Sequence, residues 1–137
     1  MTHGPNWANA RAPSLDEFEQ LAWAAYRALP DQFRQWTTDI MIRIEEFATS
    51  EVLDSLGIES EYDLMGLYQG VSLDRKSVSD ATSEPDVVVL YRRPILDYWA
   101  ADDVQLGDIV THVLVHEIGH HFGLSDHDME NIEAKAG

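Results

Sequence analysis

Five of the six histidines fall between His112 and His127, and within that window the chain reads His116-Glu117-Ile118-Gly119-His120-His121-Phe122-Gly123-Leu124-Ser125-Asp126. This run constrains the fold more than any other feature. Residues four apart lie one above the other on a helix, so a helix across 116–120 presents two imidazoles to a single ion. Zinc accepts imidazole nitrogen at about 2.0–2.1 Å, and such a helix fixes two of its four positions without a loop. Glu117 projects beside that face, where a carboxylate can take a proton from water activated by the metal. A third ligand has to come from beyond the end of the helix. Gly123 suits the turn back, and Asp126 follows three residues later as a carboxylate of an ordinary zinc-binding type. His127 and Asp128 stay open as alternatives for that third place. The fourth position is left for water.

Composition narrows the chemistry further. Cysteine is absent, so any zinc site must use histidine and carboxylate ligands. Nine Lys and Arg against 25 Asp and Glu give a net charge of −16. That surface repels phosphate backbones and draws cations, so nucleic acid is not an expected partner. No apolar run approaches the about eighteen residues needed to cross a bilayer. The opening MTHGPNWANARA lacks the basic start and apolar stretch of a secretory signal. The expectation is a soluble, cytoplasmic monomer without a membrane partner. Residues 1–12 should form a flexible tail and 13–137 a single domain.

Periodicity supplies the elements. Ser14 with Glu17 resembles a capping box, and Leu15, Phe18, Leu21, Ala22, Ala25 and Leu29 then recur at helical spacing until Pro30. Ile40, Ile42 and Ile44 alternate with polar neighbours as a half-buried strand. Ser50 to Leu56, closed by Gly57, predicts a brief helix, and Leu64 to Gln69 a second strand. The polar stretch from Gly70 to Glu84 predicts a loop or loose hairpin. Asp86 to Tyr91, with three consecutive valines, predicts a strand covered on both faces, and Pro94 should end it. Asp102 or Asp103 is the expected cap of a long helix carrying Leu106, Ile109, Val110, Val113, Leu114, Ile118 and Phe122. Gly123 closes that helix, and Ser125 with Asp128 forms another capping box opening a last helix to about Lys135. This order predicts an α+β fold with a small mixed sheet of three to four strands. On its helix, His121 points away from the 116–120 face as a helix-end cation. His112, one turn before His116, reads as either a support for the site or core. Met129 reads as core packing.

The run HEIGHHFGLSD resembles the longer zincin signature, His-Glu-x-x-His-x-x-Gly-x-x-Asp, of metzincin-like peptidases whose third ligand is Asp. GLYQGVSLDRKSV, PDVVVLYRRPI and VLVHEIGHHFGLSDHDMENIE together are similar to the bacterial family of minimal zincin-like metallopeptidases, from about Leu15 to the end. The resemblance implies a zincin-like α+β fold, with a short mixed sheet packed against the motif helix and an N-terminal helix. It implies His116, His120 and Asp126 as zinc ligands, Glu117 as catalytic base, and a peptide or protein substrate. Two features depart from the larger metzincins: Asp replaces His as third ligand, and Met129, the only methionine after the motif, falls in the final helix instead of a separate methionine turn.

The function expected is hydrolysis of peptide bonds by a metal-activated water with Glu117 as general base. Two alternatives stand beside it: a metal-binding interaction domain without proteolysis, and a zinc hydrolase of another amide or ester. Tyr98, His112 and His127 are candidates for holding the oxyanion. An extended substrate could pair along Asp86 to Tyr91 or a neighbouring strand, with the polar loop from Gly70 to Glu84 as a flap.

Overall fold

A computed structural model describes residues 6–70 and 86–136. Ser14 Oγ accepts the Glu17 backbone N–H at 3.1 Å, and the Glu17 carboxylate accepts the Ser14 N–H at 2.9 Å. These reciprocal bonds satisfy donors that a helix start leaves orphaned, and they open α1 (Leu15–Arg27). They also hold the Glu17 carboxyl below its ordinary pKa. Pro30 then begins a single turn, α2 (Asp31–Arg34), so the stretch through Phe33 and Trp36 is helical instead of a plain connection.

The sheet is β1 (Met41–Glu45), β2 (Gly66–Gln69) and β3 (Val87–Tyr91), in the order β1-β3-β2. β1 runs parallel to β3, with Ile42 opposite Val88 and Ile44 opposite Leu90. β2 runs antiparallel to it, with Gly66 opposite Leu90 and Tyr68 opposite Val88. Between β1 and β2 lies α3 (Ser50–Leu56), closed by Gly57 at φ 69°, where a residue without Cβ avoids left-handed strain.

The run of apolar residues in β3 behaves as its composition requires. Val88 and Leu90 face the main core with Phe18, Ala22, Ile42, Val110 and Leu114. Val89 and Tyr91 face a second cluster with Ala48 and Leu53. Each such side chain removed from water contributes about 1.5–3 kcal/mol, and β3 collects this on both faces. The price in sequence is that β3 is central, paired on both sides. Of the two places expected for substrate pairing, Asp86 to Tyr91 is therefore corrected and the neighbouring strand remains: among the described residues the sheet edges are β1 and β2.

Two further expectations change. β3 ends at Tyr91, before Pro94 is reached, and the chain passes directly into α4 (Arg92–Ala101), with Pro94 in the first turn, where its missing N–H costs nothing. The long helix α5 (Leu106–His121) is capped by Gln105 without a side-chain hydrogen bond, so neither Asp102 nor Asp103 caps it. The connection from α4 uses up those residues. Arg92 Nε donates to the Pro13 carbonyl at 2.6 Å and its Nη1 to Glu46 at 3.0 Å, fastening the start of α1 to the end of β1.

α5 ends as expected, with Gly123 at φ 75°. Ser125 and Asp128 exchange bonds at 3.1 and 3.3 Å to open α6 (Asp126–Ala136). The architecture is α+β, with six helices and a three-stranded mixed sheet among the described residues, and α1 and α5 on one face of the sheet. The predicted loop or hairpin after Gly70 lies outside the described residues. No helix among them is long and apolar enough to cross a membrane.

Candidate metal centre

α5 packs Ile109, Val110, Val113, Leu114 and Ile118 into the core and leaves His112, His116 and His120 along one stripe at its rim. The His116 and His120 rings lie 5.6 Å apart at 89°, and the His112 and His116 rings 3.9 Å apart. Burial, together with the neighbouring His112 and His120, holds the His116 imidazole below its ordinary pKa, against the opposing pull of Glu133 and Asp126. Its neutral form, which has a free lone pair, is thereby favoured, as metal ligation requires.

Glu117 lies on the side of α5 that β2 covers. A Cβ on Gly66 would fall 2.5 Å from Val113 Cγ1 and 3.3 Å from Glu117 Cγ, so only glycine lets β2 lie this close to the helix. Met65 accepts the Tyr91 N–H at 2.9 Å, which fixes the phase of the ladder: Met65, Leu67 and Gln69 bond to β3, while Gly66 and Tyr68 turn their backbone groups away from β3. The outward Tyr68 N–H donates to the Glu117 carboxylate. Partial burial raises the Glu117 pKa, and this N–H and His120 work in the opposite direction. A carboxylate so placed is a better proton acceptor than one in open water.

Tyr68 is itself held from three sides. Its hydroxyl donates to Asp86 at 2.5 Å, and its ring stacks on His121 at 4.0 Å and 18°. Burial and then the Asp86 carboxylate push the phenol well above its usual range. His121 thus points away from the 116–120 stripe, onto an aromatic ring.

Asp126 is exposed at the first position of α6, and its charge reaches His116. Asp128 is engaged in the capping box, which leaves Asp126 the freer of the two acids. Met129 is fully buried, with Sδ 2.5 Å from where a Gly119 Cβ would stand, so the glycine within the motif makes room for the core methionine. Tyr98 and His112 line one cleft of about 230 Å³ with Met65, Val104 and Ile109; His127 is exposed elsewhere on α6.

Among the described residues, the group of three such side chains whose ligand atoms lie within 4.8 Å of one another is His112, His116 and Glu133. The structure thus pairs His116 with His120 by their rings, but it does not gather His120 and Asp126 into that tighter group. Glu133 was missed in sequence because it lies seventeen residues beyond His116 on another helix. Its one signal is the position two turns after Asp126 on α6.

The donor set of imidazoles and carboxylates, with no thiolate, fits a zinc ion or a similar divalent metal. A model of a family described as zincin-like metallopeptidase matches residues 37–136, from just before β1 to the end of α6, leaving α1 outside. No curated protein matches the chain.

Proposed function

The chain belongs to the zincin-like metallopeptidase family, and on that premise we propose that it is a zinc-dependent peptidase with His116, His120 and Asp126 as ligands and Glu117 as general base. The observation that carries this reading is the Glu117 carboxylate, adjacent to the His116–His120 face, raised in basicity by burial and aimed by the Tyr68 N–H. The bound ion would supply Lewis acidity, making water acidic near neutral pH and polarising a carbonyl.

This chain's own residues do the rest. His116, favoured in its neutral form, and His120 offer lone pairs from one helical face, and Asp126 adds a negative charge from the start of α6. Glu117 accepts the proton of the attacking water and returns it to the leaving amine, while the Tyr68 N–H keeps the carboxylate in place between the two transfers. The outward edge of β2 at Gly66, beside the Tyr68 N–H that Glu117 occupies, is where an extended peptide would pair, and it brings a scissile bond beside Glu117. Residues 13–137 act as one catalytic domain in this reading, with 1–12 as a tail.

The test is hydrolysis of a peptide library by zinc-loaded protein. Glu117→Gln should retain its zinc and lose about 10²–10⁴-fold or more in turnover, the range a positioned acid–base group contributes. Equal turnover in the two proteins would remove Glu117 from the mechanism. Zinc retention without cleavage by either would leave the non-proteolytic metal-binding reading.

A further inference from the structure

The stripe on α5 continues past the motif, and what it meets there is a second set of ligands. His112 stands one turn before His116, in the same i, i+4 relation that His116 has to His120. Glu133 reaches across from α6, and its Oε1 lies 2.6 Å from His112 Nδ1. That contact lacks the direction of an N–H···O hydrogen bond, and Oε1 is buried with no hydrogen-bond partner among the described residues. A buried carboxylate oxygen left without a hydrogen bond is costly, and a cation held by these groups would remove that cost. A plain ion pair joining two helices would normally align the donor with its acceptor.

From this geometry we propose that His112, His116 and Glu133 form a second divalent-cation site, which shares His116 with the motif site and so competes with it for one ion. The inference rests on the metal-ligand role of His116 argued above. Three ligand atoms within 4.8 Å of one another lie close to the roughly 3.4 Å that separates tetrahedral ligands with bonds of about 2.0–2.2 Å, so small side-chain rotations bring them onto one ion. Two imidazoles and one carboxylate select a zinc-like ion over calcium or magnesium. Access is open: His112 and Glu133 line a groove of about 630 Å³ between α1, α5 and α6, with Leu21, Ala25 and Thr111. The surrounding charge of −16 raises the local cation concentration. An ion in the lower position takes His116 from the motif set, so occupancy there switches off the proposed hydrolysis without displacing Glu117. Because the two positions exclude each other, their relative affinities set the fraction of metal-loaded chains that is active.

The experiment uses the full chain, stripped with chelator and reloaded with zinc, and in parallel with cobalt. Metal is measured by elemental mass spectrometry, and the cobalt environment by visible absorption. The His120→Ala/Asp126→Ala variant should still hold one ion per chain, with an altered cobalt spectrum. Adding His112→Ala and Glu133→Gln to it should weaken binding by more than the roughly 100-fold that loss of a supporting residue costs. The wild type should saturate at one ion. Far-UV circular dichroism confirms that each variant is folded; all four positions lie at the rim of the helices. A folded His120→Ala/Asp126→Ala chain that holds no ion, while the wild type holds one, overturns the second site and leaves the proposed function intact. Two ions per wild-type chain overturns the sharing of His116. A wild type that binds no metal overturns both.

Discussion

Gly66 carries a consequence for activity out of proportion to its size. It is the point at which β2 and α5 touch, and a methyl group there meets the β-branched, buried Val113 at 2.5 Å. Val113 has little rotamer freedom on a helix, so the strand must yield. Gly66→Ala should therefore cost about 1–3 kcal/mol in denaturant unfolding, the range for overpacking. It should also lower peptide turnover more than stability alone explains, because the Tyr68 N–H moves with the strand and leaves Glu117. Zinc content should stay at the wild-type level, since no ligand is on β2. Unchanged turnover in a folded Gly66→Ala protein would mean that the Tyr68–Glu117 contact has no catalytic weight. Gly119 answers to a similar pressure inside the motif, where Met129 fills the space a side chain would need.

Among the elements, α6 links fold to site most directly. Its first turn carries Asp126, its capping box uses Ser125 and Asp128, and Met129 anchors it to α5. Ser125→Ala removes the side chain that caps the helix and should destabilise the protein by about 1 kcal/mol, read by thermal or denaturant unfolding. Because the same turn sets the direction of Asp126, zinc affinity should fall with it; affinity equal to wild type would detach the capping box from the site. Both capping boxes and both left-handed glycines could be read in advance, because each is a local pattern of residue types whose geometry is decided within four residues. α4 could not. Pro94 in the sequence reads as a stop after a strand, whereas in the first turn of a helix it breaks no hydrogen bond, and only the tertiary course of the chain distinguishes the two. The cap expected at Asp102 or Asp103 failed for the same reason, since α4 runs to Ala101 and occupies the chain before them.

Taken whole, a molecule of net charge −16 carries a stripe of three histidines at the rim of one core-packed helix, with a strand that approaches closely at Gly66 packed beside the base. The motif made the helix and its chemistry legible, because residue types at fixed helical spacing determine which side chains share a face. The order of the strands was not legible: the valine run indicates cover on both faces, but which strands flank it depends on long-range pairing. Among the described residues, that order puts β2, not β3, at the sheet edge beside Glu117. Glu133 was out of reach for the same cause, a contact across helices that no local spacing encodes. Both proposed sites need His116 as a zinc ligand, and the most direct test is zinc per chain in untagged wild type and His116→Ala after chelation and reloading. One zinc per wild-type chain and essentially none in a folded His116→Ala is the predicted result. A wild type without tightly held zinc, or a His116→Ala variant that keeps its full complement, would contradict it.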